Sequence, residues 1–98
     1  MFPRTVPAAE ALELGMVNRV VSGEELPTVV GELARALATG PTLAYGSIRR
    51  SVAFSAGHTL SESLAHEAEQ MAVTGGSQDH ATAVDAFIAK EKPTFRGR

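Results

Sequence analysis

Several glycines and prolines of this 98-residue chain fall where a helix must stop, and they cut it into helix-length pieces. The stops are Gly15, Gly40-Pro41, Gly57, Gly75-Gly76 and Pro93. Glycine tolerates the left-handed conformation that ends a helix, and proline cannot continue one. Between these stops the apolar residues recur at helical spacing. Ala8 to Leu14 is rich in Ala, Leu and Glu, strong helix formers, and Gly15 follows as its left-handed cap. Ser22 and Glu25 match a capping box, after which Leu26, Val29, Val30, Leu33, Ala34 and Leu37 share one face and Pro27 belongs in the first turn. Ala44, Ile48, Ser51 and Val52 recur until Gly57. Leu60, Leu64, Ala68 and Met71 align on a helix started by Thr59. In the last block Asp79 is the expected N-cap, Ala83, Val84, Phe87 and Ile88 the inward face, and Pro93 the reason to stop near Glu91.

The predicted helices are therefore Ala8–Leu14, Glu24–Thr39, Thr42–Ser55, Leu60–Val73 and His80–Glu91, followed by an extended basic tail. Met16 to Val21 is short, apolar and β-branched, which predicts at most one short strand or an extended connector. A lone strand needs a sheet that no other segment here supplies. Connections this short make the later helices packed neighbours. Their faces are rich in alanine, so close approach is easy but little area is buried, and a partner is expected to cover the remainder.

Composition excludes several function classes. Net charge is −2 without a long basic block, so no nucleic-acid footprint is present. No apolar run approaches the roughly 18 residues that cross a membrane. There are no cysteines, which removes disulfides, thiolate catalysis and cysteine-ligated metal. The start Met1-Phe2-Pro3-Arg4 lacks the apolar core of a signal peptide, and a cytoplasmic location is expected.

No residue pattern carries an evident catalytic motif. The acids Glu10, Glu13, Glu24, Glu25, Glu62, Glu67, Glu69, Asp79 and Asp85 contain no pair set up for general acid/base work, and read as solvated surface. His66-Glu67-Ala68-Glu69-Gln70 misses the zinc motif H-E-x-x-H because Gln70 stands at the second ligand position, so no metal site is expected. His58 and His80 read as solvated histidines of a turn and a first helical turn. Arg49-Arg50 reads as a solvated face, with an inter-subunit ion pair as the sharper alternative. Phe87, Lys90, Lys92, Phe95, Arg96 and Arg98 form the only cluster mixing rings with cations, a combination able to stack on a purine and neutralise phosphate, although the residues by themselves favour core plus solvated tail.

Two stretches together are more specific. Ala8-Ala9-Glu10-Ala11-Leu12-Glu13-Leu14-Gly15-Met16-Val17-Asn18-Arg19-Val20-Val21 and Ala86-Phe87-Ile88-Ala89-Lys90-Glu91-Lys92-Pro93-Thr94-Phe95-Arg96-Gly97-Arg98, in this order and at this distance, resemble the C-terminal portion of the crotonase superfamily, the enoyl-CoA hydratases and isomerases. The resemblance covers nearly the whole chain. It implies a mainly α fold, the helical trimerisation segment of a crotonase-like protein, with residues 1–21 a helix and strand remnant of the core and residues 22–98 an assembly domain. It departs from the family at Thr82-Ala83, where many members have Glu-Gly, and at Arg49, where a lysine is common. Met1-Phe2-Pro3-Arg4 stands where the family usually has the end of a core strand and a Thr-Gly-Arg-like turn, as expected of a truncated gene or a trimmed chain.

The same resemblance implies that enolate-stabilising donors and acid/base residues lie upstream, so no catalytic residue is expected here. Phe87 and Lys90 match the phenylalanine and lysine that contribute to the family's CoA nucleotide pocket. The expected function is that of the C-terminal part of an enzyme acting on acyl-CoA thioesters in fatty-acid or related metabolism, catalytically incomplete alone. CoA enters as part of the substrate, with no cofactor, and the chain is expected to form a trimer or a dimer of trimers without nucleic-acid or membrane partners. A non-enzymatic self-association module derived from the family is the alternative, and an unrelated helical bundle binding acyl or nucleotide ligands a third.

Overall fold

A computed structural model describes residues 3–98; the start at Met1-Phe2, read above as replacing the end of a core strand, lies outside the described residues. Five helices follow in order: α1 (Ala8–Glu13), α2 (Leu26–Ala38), α3 (Thr42–Ser55), α4 (Leu60–Gly75) and α5 (Gln78–Ala89). The chain divides into two compact units, residues 1–33 and residues 34–98, with α2 running across the boundary.

In the first unit α1 ends as its sequence requires. Gly15 has φ +69°, its N–H donates to the Leu12 carbonyl, and the Met16 N–H reaches back to the Ala11 carbonyl. These two bonds satisfy carbonyls that the helix end leaves open. Arg4 clasps the Glu10 carboxylate with both terminal nitrogens, one of them at 2.8 Å. Met16–Val21 forms no strand, and the described residues contain none. The physical reason is that a strand needs a neighbour to ladder with, and the connector alternative holds instead. Ser22 and Glu25 do form the reciprocal capping pair, with the Glu25 N–H donating to Ser22 Oγ at 3.2 Å and the Ser22 N–H to Glu25 Oε2 at 3.1 Å.

In the second unit α3 and α4 make an antiparallel hairpin through Ala56–Thr59, and α5 packs on α4. Small residues allow this approach: Ala44, Ser47 and Ser51 on α3 and Ser63 and Thr74 on α4 line the furrow between them. Ser47 is buried there and accepts from Arg50 Nη2 at 3.0 Å. Thr59 caps α4 in a full capping box with Glu62. The α5 start differs from expectation. Ser77, not Asp79, is the N-cap, accepting from the His80 N–H at 3.1 Å, because Asp79 is already the second residue of the helix and is engaged elsewhere.

The inward face of α5 also differs. Phe87 and Ile88 are 84% and 74% exposed, and Val84 is exposed as well. The sheltered positions are Asp79, Thr82, Ala83 and Ala86, one stripe at helical spacing that is narrower and smaller than the apolar one. Among the described residues no hydrophobic side chain is fully buried. Leu26, Val30, Leu33 and Leu37 of α2, Ile48 and Val52 of α3, and Leu64 and Met71 of α4 are all exposed. The thin, alanine-rich faces thus bring helices together without closing a core.

Candidate functional site

The far end of α5 carries the two residues matched to CoA binding. Helix α5 stops at Ala89, and Lys90 is in the left-handed conformation at φ 57° and ψ 37°. Its N–H donates to the Phe87 carbonyl at 3.2 Å, and the Glu91 N–H donates to the Ala86 carbonyl at 2.8 Å. This is the same double-bonded helix end as at Gly15, built with a lysine where glycine is usual. The predicted helix His80–Glu91 is therefore corrected at this end, since Lys90 sits on the cap beyond the helix. Phe87 and Lys90 are both exposed. The helix terminus presents partial negative charge, so a phosphate here would depend on the lysine ammonium and not on backbone donors.

From Glu91 the tail runs back toward the start of α5 without regular structure. Burial alternates along it: Pro93, Phe95 and Gly97 are half-buried, while Lys92, Thr94, Arg96 and Arg98 are exposed. Such period-two alternation is that of an extended segment with one face down. The Asp79 carboxylate, buried to 5% exposure, accepts from the Arg96 N–H at 2.7 Å through one oxygen and from the Gly97 N–H at 2.8 Å through the other. Its own N–H donates to the Arg98 carbonyl at 2.9 Å, and Arg98 Nε donates to Gln78 Oε1 at 3.1 Å. Asp79 is thus not solvated surface. Sequence reasoning missed it, although the alternation of Lys92-Pro93-Thr94-Phe95-Arg96-Gly97-Arg98 was a visible sign of a docked tail.

The remaining candidates fall into structural roles. Arg49 and Arg50 are exposed, as a solvated face requires, and Arg50 Nε also donates to Gln70 Oε1 at 2.9 Å, tying α3 to α4 within the chain. The glutamine that spoils the zinc motif is the acceptor. His58 and His66 stack on Phe54 with ring centroids at 3.6 and 4.3 Å, and His58 Nδ1 lies 2.6 Å from the Phe54 carbonyl. No group of three or more metal-binding side chains occurs among the described residues. The glutamates with displaced acidity are cap and clasp residues: hydrogen bonds from Thr59 hold Glu62 below the usual carboxylate range, those from Ser22 do so for Glu25, and Arg4 does so for Glu10. None faces another acid in a cleft. An open furrow of about 690 Å³ lies between α3 and α4, lined by Ile48, Val52, Leu60, Leu64 and Met71 among small polar residues.

These features define a helical segment with an exposed ring and cation at one helix end, a docked basic tail and open apolar faces. The sequence model of the Enoyl-CoA hydratase/isomerase family matches residues 1–98, and the chain belongs to that family. It is 37% identical over 91 residues to the 1,2-epoxyphenylacetyl-CoA isomerase of Escherichia coli K12, covering 93% of this chain and 35% of that protein. It is 35% identical over 88 residues to 4-chlorobenzoyl coenzyme A dehalogenase-1 of an Arthrobacter species, covering 90% and 32%. A crystal structure of an enoyl-CoA hydratase/isomerase from Mycobacterium abscessus superposes with TM-score 0.93 at 37% identity, over 97% of this chain and 36% of that one. An enoyl-CoA hydratase from Geobacillus kaustophilus superposes at 0.90 with 30% identity, again over 97% and 36%. The chain spans about a third of the length of these relatives. The mainly helical, crotonase-type architecture implied by the sequence is the one found.

Proposed function

We propose that this chain acts as the C-terminal helical part of an enzyme working on acyl-CoA thioesters, and that its contribution is binding and assembly, with no part in proton transfer. The observation that carries the reading is the family match over residues 1–98 combined with the exposed Phe87 and Lys90 at the end of α5. A ring that is 84% exposed is free to stack on adenine, and the exposed ammonium of Lys90, three residues on, is free to meet a phosphate of the same nucleotide. Neither group is a chemical participant. Among the described residues no acid pair or histidine is arranged for enolate chemistry, so turnover of enoyl-CoA by the chain alone is not expected. The relatives carry isomerase, dehalogenase and hydratase names, all of CoA esters, and the proposed nucleotide-binding role is compatible with each. We place the activity in fatty-acid or related acyl-CoA metabolism in the cytoplasm. No described helix is long and apolar enough to cross a membrane.

The exposed apolar stripes of α2, α3 and α4 favour the assembly role and also support the second reading, a self-association module without catalysis. In both readings a trimer or a dimer of trimers is the proposed order. Equilibrium dialysis against CoA, for wild type, Phe87→Ala and Lys90→Ala, tests the binding role. Losing one exposed cation–phosphate contact costs on the order of 1 kcal/mol, about fivefold in affinity. A wild-type chain without measurable CoA binding, or variants that bind as well as wild type, would remove the nucleotide site from the proposal.

A further inference from the structure

We infer that Asp79 is a positioning residue for the CoA-binding end of α5, acting by strapping the basic tail to the far end of the same helix; this rests on the CoA reading above. Helix α5 has 12 residues, about 18 Å, and the tail returns along it from Lys90 to Asp79. The strap is tied at both ends. At one end the Lys90 and Glu91 N–H groups close the left-handed cap on α5 itself. At the other, the two oxygens of the buried Asp79 take the consecutive N–H groups of Arg96 and Gly97, while the Asp79 N–H takes the Arg98 carbonyl. A carboxylate bound by two fixed backbone donors makes stronger, more directional bonds than a neutral acceptor would.

The strap also joins α5 to the start of α3. Phe95 lines one concavity together with Pro41, Leu43, Ala44, His80 and Ala83. Gly97 has φ +76°, where a side chain is strained, and a Cβ built on it would stand 2.7 Å from Thr42 Oγ1 at the start of α3, so an alanine there forces the tail or the Thr42 side chain to shift. Helix α5 otherwise packs on α4. The direction of α5, the left-handed Lys90 and the outward row Lys92, Arg96 and Arg98 are thereby set together by one carboxylate at the opposite end of the helix. The cations of that row meet an anionic ligand in a fixed arrangement only while the strap is tied.

The test uses the full chain and CoA itself, with Asp79→Ala, which removes both acceptors, and Gly97→Ala, which lifts the tail while leaving the carboxylate in place. Expected for both are a CoA dissociation constant raised about tenfold, a flatter dependence of that constant on salt, altered amide shifts at Lys90 and Glu91, and retained helical signal. Asp79→Asn, keeping one acceptor oxygen, should fall between wild type and Asp79→Ala. Wild-type affinity and salt dependence in both Asp79→Ala and Gly97→Ala, with Lys90→Ala still impaired, would overturn the inference and leave the CoA site standing. Unimpaired binding by Lys90→Ala would instead overturn the CoA reading beneath it. If Asp79→Ala loses its helical signal, Gly97→Ala decides; loss of that signal in both would also overturn the inference, because the strap would then hold the whole unit and not one end of α5.

Discussion

Replacing Lys90 by glycine should stabilise the chain while weakening CoA binding. The backbone at Lys90 has φ 57°, where a residue with a Cβ costs about 1–2 kcal/mol. Glycine removes that cost but brings roughly 0.5–1 kcal/mol of extra unfolded-chain entropy, and losing the ammonium from the helix C-terminus gives back a few tenths of a kcal/mol. The net gain is about 0.5 kcal/mol, which for a domain of this length moves the melting temperature up by ~2–4 °C. Lys90→Ala keeps the strained backbone and loses the same charge, so it should melt at or slightly below wild type. Thermal unfolding followed at 222 nm, with all three chains at one concentration, measures the order glycine above lysine, and lysine at or above alanine. CoA affinity should fall equally in both variants. A glycine variant melting no higher than the alanine variant would refute the left-handed cap as the source of strain.

Three further outcomes are expected. Thr59→Ala removes the acceptor for the Glu62 N–H and one side of the capping box, and should cost about 1 kcal/mol in denaturant unfolding; Thr59→Ser should recover most of it. Because Glu10, Glu25 and Glu62 have their folded acidity shifted below the ordinary range, their stabilisation is present above the unfolded carboxylate value of about 4.3 and is lost as pH falls through the lower folded values. A melting-temperature titration should therefore drop on the acid side, and less steeply in Glu62→Gln. Leu64→Lys with Met71→Glu, both on exposed positions facing the α3–α4 furrow, should shift sedimentation from oligomer toward monomer without loss of helical signal; a wild-type chain that is already monomeric at tens of micromolar would count against the assembly role.

Much of the fold was legible because its signals are local. Gly15, the Ser22–Glu25 pair, Gly40-Pro41 and Thr59 each act through bonds within a few residues, and the helix Thr42–Ser55 has the limits its punctuation implies. What was not legible depends on packing. The apolar stripe at Val84, Phe87 and Ile88 predicts an inward face, but α5 turns its small residues to α4 and leaves the large ones exposed, since shape governs how close two helices come. Asp79 resembled a cap because capping needs only a carboxylate near a helix start. Its partners are 17 and 18 residues away, in a tail whose course no local rule fixes. At the candidate site, residue types were readable and conformation was not: Lys90 follows a helical run without glycine, so its left-handed cap had no compositional sign.

The most direct measurement of the central claim is residue-resolved: CoA titrated into the isotope-labelled chain, with amide shifts followed for wild type and Lys90→Ala. Binding at the end of α5 predicts that saturable shifts cluster at Phe87–Glu91 and extend along the outward tail residues, that added salt weakens them, and that Lys90→Ala abolishes or greatly reduces them. Shifts confined to the α3–α4 furrow, or shifts at Phe87–Glu91 unchanged by Lys90→Ala, would contradict it.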